Sequence, residues 1–435
     1  MFSPSSVTQE DASRGELPEL LAPAGNREKL ALAIHYGADA VYLGGKSFGL
    51  RNMAGNFSDD ELVEAVAYAH DRGVKVYLTV NWYATGSDIP ELRRFLERGA
   101  AVPFDALIAA DPGVIDLIHE VTPDRPVHLS TQANSTNWLA ARFWQRRGIS
   151  RINLAREMTL AEICEVNERV DMETEVFVHG ALCISQSGRC LLSNVMTGRN
   201  ANKGECTHPC RWNYAIVEES RPGEYFPVQE DDRGSFIFNS RDLCLLPYIP
   251  ELVSSGVAAL KIEGRMKGAG YVASVVRIYR EALDRFRDDP ERYECRGEWL
   301  EELGKISHRG YTTGFLFGPP RNVDVELDSS YIRSHDFVGL VESVDSSGVA
   351  TIGVRNRIIR GELLEVIGPR MASSSLVLDA MNDEKGVALD VAQPNSRIRV
   401  ALPFSARAHD LVRRERPAPG TMLTKNPECE VSCCS

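Results

Sequence analysis

Lys75-Val76-Tyr77-Leu78-Thr79-Val80-Asn81 is an apolar run that closes on a polar side chain, with an amphipathic segment over 59–71 before it and another over 90–98 after it. β-branched and aromatic residues favour a strand here, and the flanking segments carry apolar residues at helical spacing. Reading outward in both directions, the same unit recurs. Strands are predicted over 19–24, 41–45, 75–81, 106–111, 127–133, 151–156, 175–179 and 259–263. Helices are predicted over 26–36, 59–71, 90–98, 136–147 and 159–170, with 271–286 closing the ring. Eight alternating pairs predict an α/β fold, a TIM-type (β/α)8 barrel.

In such a barrel chemistry gathers at the C-terminal ends of the strands. Those ends read Gly44-Gly45, Asn81, Asp111, Gln132, Arg156, His179, and Glu263 with Arg265. One polar strand end is an ordinary helix cap, as expected for Asn26 and Ser58. A ring of them predicts a binding cup, because strands buried on both faces are otherwise apolar throughout.

The rhythm breaks between the seventh and eighth strands. The insertion over 180–256 holds Cys183, Cys190, Cys206, Cys210 and Cys244. It also holds alternating segments around 214–217 and 235–238, predicted as a β hairpin, and a helix over 245–254. An insertion that follows a strand end is placed to cover the cup.

Beyond the barrel, His308-Arg309-Gly310-Tyr311-Thr312-Thr313-Gly314-Phe315-Leu316-Phe317-Gly318 leads through Pro319-Pro320 into short strands and turns over 338–344, 350–354, 363–367 and 398–402. A small antiparallel β-barrel domain is the expectation. The predicted organisation is a disordered 1–15, the barrel over 16–300, a linker over 301–336, the small β-barrel over 337–416 and a disordered tail over 417–435. The tail's Cys429, Cys433 and Cys434 read as incidental thiols.

Composition narrows the chemistry. The first residues, Met1-Phe2-Ser3-Pro4-Ser5-Ser6-Val7, have no basic, apolar leader pattern, and no apolar run reaches membrane-spanning length, so a cytoplasmic protein without membrane association is expected. In a reducing compartment the ten cysteines argue for metal ligation over a disulfide framework. A net charge of -12 counts against a protein that coats nucleic acid, but not against a local grip on one RNA. Three basic clusters, Arg355/Arg357/Arg360, Arg397/Arg399 and Arg413/Arg414/Arg416, read either as solvated surface of the small domain or as a phosphate-contact surface.

Three readings of the clustered cysteines stand side by side. A structural zinc usually takes paired short-spaced knuckles, and no such pair is present. An iron-sulfur cluster tolerates wider gaps. Unpaired buried thiols are the third reading, which suits Cys164 and Cys295 in their helical patterns. Hydrolase signatures are missing: His119-Glu120 is followed by Val121-Thr122-Pro123, not by a second zinc-site histidine, and there is no Gly-x-Ser-x-Gly.

Leu21-Ala22-Pro23-Ala24-Gly25, the block from Gly37 to Gly44, the segment from His179 to Cys190, Asn239-Ser240-Arg241-Asp242-Leu243-Cys244 and Lys261-Ile262-Glu263-Gly264-Arg265-Met266-Lys267 occur in that order. Together they resemble the peptidase U32 family, from about residue 18 to residue 416 and most closely its bacterial tRNA hydroxylation branch. The family label implies a collagenase-like peptidase. Its better understood members imply oxygen-independent hydroxylation of tRNA, rRNA or the ubiquinone ring, a [4Fe-4S] cluster, and prephenate as co-substrate. The resemblance implies Cys183, Cys190 and Cys206 as cluster ligands, with Cys244 as the fourth and Cys210 as its alternative.

The expected activity is hydroxylation of an RNA pyrimidine, the tRNA wobble uridine first among them, with a small dicarboxylate held in the barrel mouth. Arg156 and Arg265 suit carboxylates because a guanidinium binds them bidentately and keeps its charge. For each the alternative is a structural ion pair with Glu157, Glu263 or a neighbouring aspartate. Glu263 and His179 are candidates for proton transfer, with Arg265 beside them as a third catalytic residue. Asn81, Gln132 and Lys267 are further substrate contacts. A peptidase and a noncatalytic iron-sulfur scaffold are the rival expectations.

Overall fold

The structure, a computed structural model, describes residues 17–49, 55–183, 185, 190, 192–209, 215–217, 225–227, 241–318 and 333–416. The chain divides into two compact units, with the boundary between Arg333 and Ser334 and with residues 368–372 grouped with the first.

The first unit opens β1 (Glu19–Pro23), α1 (Arg27–His35), β2 (Ala40–Leu43), α2 (Asp59–His70), β3 (Lys75–Thr79), α3 (Ile89–Gly99), β4 (Ala106–Ala109), α4 (Pro112–Val121), β5 (Val127–Leu129), α5 (Trp138–Gln145), β6 (Ile149–Asn153), α6 (Leu160–Arg169) and β7 (Glu173–Ala181). The insertion adds α7 (Leu192–Thr197), β8 (Ala215–Val217), β9 (Tyr225–Pro227), β10 (Asp242–Cys244) and α8 (Ile249–Ser254). Then come β11 (Ala259–Ile262), α9 (Ala269–Asp288), α10 (Gly297–Lys305) and β12 (Tyr311–Thr312). Strands β1 to β7 run parallel in sequence order, and β11 pairs with both β1 and β7, which closes the eight-stranded barrel.

Helix starts follow local chemistry. Ser58 with Glu61, and Thr159 with Glu162, form reciprocal capping boxes, while Asn26 accepts from the Lys29 amide. The hairpin pairs β8 with β9, closer in sequence than the reading that placed its second arm at 235–238, which lies outside the described residues. The expected helix over 245–254 is shorter, Ile249–Ser254, after a single 3-10 turn at Leu246–Tyr248. The segment read as a linker from 301 begins with the rest of α10 and with β12. Trp299 and Leu303 are fully buried, and β12 pairs with β10.

The barrel bore is charged. Arg151 Nη1 stands 2.7 Å from Glu19 Oε1 and 3.8 Å from Glu175 Oε2, and Lys261 Nζ stands 2.7 Å from Glu175 Oε1. Above this, Lys261 lies over the Tyr42 ring at 4.6 Å, and Arg156 lies over Phe177 at 4.0 Å. Cations and carboxylates alternate up the bore, so each buried charge meets an opposite one, as low-dielectric burial demands.

The second unit holds β13 (His335–Val344), β14 (Val349–Val354), β15 (Ile358–Ile359), β16 (Leu363–Ile367), β17 (Ser373–Val377), β18 (Val391–Ala392), β19 (Arg397–Ala401) and β20 (Leu411–Glu415). Its antiparallel sheet runs β17-β16-β20-β13-β14-β19 around a core that includes Val338, Val341, Ile352 and Val412. The outer strands are joined only loosely, by the isolated bridge of Asn382 to Arg399, so the small β-barrel is a half-barrel.

Candidate functional site

Arg265 follows β11 and crosses to the end of β3. Its Nη1 donates to Thr79 Oγ1 at 2.7 Å and its Nη2 to Asn56 Oδ1 at 3.2 Å. Thr79 Oγ1 in turn donates to the Leu43 carbonyl at 2.9 Å. Gly44 makes the crossing possible, because a Cβ there would fall 2.9 Å from Arg265 Nη2. The guanidinium is 98% shielded and fixed by side chains from two other strand ends, which preorganises it. Sequence reasoning found Arg265 but missed Thr79, Asn56 and Lys29, whose Nζ bonds the Arg265 carbonyl at 3.2 Å. The signal was present for Thr79, a hydroxyl inside an otherwise apolar strand.

Arg156 and Glu263 meet at the mouth. Arg156 Nη2 is 4.0 Å from Glu263 Oε2, and both side chains keep some solvent contact. This is one of the two alternatives left open for Arg156, and the pair is loose enough for a carboxylate ligand to compete with Glu263. Asn81 sits half-buried at the end of β3. Gln132 is buried on the 3-10 turn Thr131–Ala133, where its Oε1 accepts from Ser130. Asp111 is a helix cap, accepting from the Gly113 and Val114 amides.

His179 and Lys267 do not line the bore. In the β7–β11 ladder Lys261 pairs with Phe177 and Ile262 pairs with His179, so Val178 is an extra residue. That bulge turns His179 out of the bore. Its ring is enclosed by Tyr271, Tyr279 and Tyr311, with centroids 5.9, 5.6 and 5.4 Å away. Burial, with the Asp242 charge opposing, holds its pKa down at about 3. A neutral, enclosed imidazole of this kind does not titrate near neutrality, which removes the expected proton-transfer role at the mouth. Lys267 turns the same way, 3.5 Å from Asp242 Oδ2, and Asp242 Oδ1 accepts from Arg309 at 2.9 Å.

The insertion is anchored to the β3–α3 loop. Tyr83 N donates to Asn202 O at 3.2 Å, and Lys203 Nζ lies 3.2 Å from Asp88 and 5.7 Å from the Trp82 ring. Asn202 also brackets Cys190, accepting from its amide at 3.2 Å and donating to its carbonyl at 3.1 Å. Cys206 accepts from the His208 amide at 3.4 Å. Cys183 is exposed, Cys190 buried and Cys206 half-buried, and Cys210 lies outside the described residues.

Cys244 has a different setting. It pairs with His179 across the ladder, its thiol hydrogen-bonds Tyr279, and burial pushes its pKa up to about 11. The Tyr279 hydroxyl donates to Val178 O, so the sulfur acts as donor and keeps its proton. Among the described residues no three His, Cys, Asp or Glu side chains gather as a metal site. A cluster needs converging thiolates. The described thiols as they stand do not fit one.

In the second unit the predicted phosphate surface is largely neutralised. Arg413 pairs with Glu365 at 2.7 Å, Arg414 with Glu362 at 2.6 Å, Arg416 with Asp336 at 2.9 Å, Arg397 with Glu342 at 2.6 Å, Arg399 with Asp345 at 3.0 Å and Arg360 with Asp390 at 3.4 Å. Solvated, ion-paired surface is the better description of these residues. No helix among the described residues is long and apolar enough to cross a membrane.

Comparison with known proteins adds to this geometry. The family model for peptidase family U32 matches residues 25–326, and that for the U32 C-terminal domain matches residues 333–413. The chain is 41% identical over 379 residues to tRNA hydroxylation protein P1 of Bacillus subtilis, covering 86% of this chain and 89% of that protein. It is 36% identical over 428 residues to tRNA hydroxylation protein P of Escherichia coli, covering 89% and 93%. It is also 37% identical over 405 residues to a protein of Methanocaldococcus jannaschii named an uncharacterized protease, covering 91% and 97%.

Proposed function

The chain belongs to peptidase family U32, and on that footing we propose that it is a tRNA-modifying enzyme that takes part in hydroxylation of a tRNA nucleoside. The observation that carries this reading is similarity along most of both chains to two tRNA hydroxylation proteins. The mouth is compatible with it. Arg156 and Arg265 supply fixed cations for an anionic co-substrate, and Glu263, close to Arg156, is the carboxylate placed to move a proton there.

The finer reading names a wobble uridine as target, prephenate as the source of the hydroxyl group and a [4Fe-4S] cluster as cofactor. Such a cluster would draw on Cys183, Cys190 and Cys206 with Cys210 or Cys244. A bound cluster supplies redox or Lewis-acid chemistry, and no step is assigned to it here because the described thiols do not converge.

Mass spectrometry of tRNA and rRNA nucleosides from a deletion strain tests the function. Loss of one hydroxylated tRNA nucleoside, restored by the wild-type gene, is the expected result. An unchanged nucleoside inventory overturns it. The protease name of the M. jannaschii relative makes a different forecast: peptide cleavage by purified, iron-free protein with every nucleoside intact.

A further inference from the structure

Two cations share one pocket where the first βα turn of the barrel meets the turn after β11. Lys29 reaches from the first turn of α1 until its Nζ lies 3.2 Å from the Arg265 carbonyl. Among the described residues that is its one hydrogen bond, and no carboxylate stands within ion-pair distance of it. Arg265 itself is buried, its Nη atoms held by Thr79 and Asn56. Glycines wall the space: a Cβ at Gly25 would fall 3.3 Å from Lys29 Nζ, and one at Gly44 would fall 2.9 Å from Arg265 Nη2.

Placing a half-buried ammonium near a buried guanidinium is unfavourable by itself, since neither cation keeps its full hydration and the two repel. The lowered pKa of Lys29 records that cost. Burial is the main cause, and the Arg265 charge adds to it against the opposing Glu28. An oxyanion received between the two would reverse both terms through charge-assisted hydrogen bonds.

We propose that Lys29 and Arg265 form a two-cation subsite of the barrel mouth that takes one oxyanion group, a carboxylate or a phosphate, of the ligand entering there. The proposal rests on the reading of the mouth as a substrate site and adds Lys29 as a ligand-holding residue. The purely structural alternative is that Lys29 only braces the Arg265 carbonyl.

The test uses the full-length protein with its lysines carrying isotopically labelled methyl groups. The Lys29 resonance, assigned by its loss in Lys29→Met, is followed while malonate, inorganic phosphate or chloride is added at matched ionic strength. A saturable shift with malonate or phosphate and none with chloride is expected. Lys29→Met, checked for folding by circular dichroism, should weaken binding of that anion at least about tenfold, and Lys29→Arg should retain most of it. A stronger response to malonate identifies the carboxylate of a small acid, and a stronger one to phosphate identifies a nucleotide phosphate. No saturable shift, or unchanged affinity in Lys29→Met, overturns the subsite. The nucleoside inventory separates this from the functional reading: a subsite that fails while the tRNA nucleoside is still lost on deletion leaves the enzyme assignment standing, and the converse leaves the subsite standing.

Discussion

Arg265 and Thr79 lie 186 residues apart in sequence and 2.7 Å apart in space, one from the turn after the eighth barrel strand and the other from the end of the third. This bond spans the mouth and sets the direction of the guanidinium. Arg265→Lys keeps the charge but cannot reach Thr79 and Asn56 together. It should abolish complementation of the deletion strain while the protein stays folded. Thr79→Val removes the acceptor and should cost about 1–3 kcal/mol of stability, read by urea unfolding, because the Arg265 donor is then left unsatisfied. Full complementation by Arg265→Lys would separate the mouth from the activity.

Glu175 is the hinge of the charged bore, bonded to Lys261 at 2.7 Å and to Asn153 at 2.8 Å. Glu175→Leu strands Lys261 without its partner and should destabilise the protein by about 3–5 kcal/mol. The double variant Glu175→Leu with Lys261→Met should recover a large part of that loss, because removing both charges also removes the desolvation burden. A double variant no more stable than the single one would mean that the bore is held by packing rather than by charge pairing.

His128 gives the bore a pH signature. It is buried edge-on against Tyr77 at 4.7 Å, and burial, then the charges of Arg151, Lys261 and Lys75, hold its pKa well below the ordinary value. The sign follows from linkage. The unfolded chain takes up the proton first, near pH ~6.5, so the contribution is complete above that pH and declines as pH falls further, by up to about 1.4 kcal/mol per pH unit. The stability difference between wild type and His128→Phe should therefore shift against the wild type between pH 7 and pH 5.5. A difference that stays constant over that interval would show that the ring is protonated in the folded state too.

How much of this was legible in the sequence depends on the range of the interaction. The barrel rhythm reads directly because each strand is a local apolar run and each helix start carries its own cap, as at Ser58 and Asn26. The cup residues Arg156, Glu263 and Arg265 read correctly because a strand's end follows from its periodicity. His179 and Lys267 do not, since one extra residue at Val178 reverses which side of the strand faces the bore, and no local pattern announces a bulge. The pairing of the arginines in the second unit is equally hidden. Arg413 meets Glu365 only after β16 and β20 have found their register. Lys29 was passed over because, in sequence, it is one more lysine on an exposed-looking helix start.

The thiols should react in an order set by burial. Cys183 is exposed, whereas Cys244 is buried with its pKa at about 11. At pH 8 a thiol of that pKa is ionised to roughly one part in a thousand, and the thiolate is the nucleophile. Iodoacetamide on iron-free protein, followed by peptide mass mapping, should therefore modify Cys183 early and Cys244 last. Early modification of Cys244 in folded protein would mean that β10 opens, and would make Cys244 available to join the other thiols.

Asn202 ties the cysteine insertion to the barrel, and its loss should be felt locally. Its side chain bonds both backbone groups of Cys190, and its carbonyl accepts from Tyr83, so one residue links the thiol segment to the loop after β3. Asn202→Ala keeps the backbone bond to Tyr83 but frees Cys190 at both ends. The barrel core is untouched, so the main unfolding transition should move by no more than about 1 kcal/mol. The insertion should instead open more often, which limited proteolysis reads as faster cleavage within 181–240 at unchanged global stability. If covering the mouth matters for activity, the same variant should lose the modified nucleoside in vivo despite an intact barrel. Unaltered proteolysis together with normal modification would show that the insertion is held in place by contacts other than Asn202.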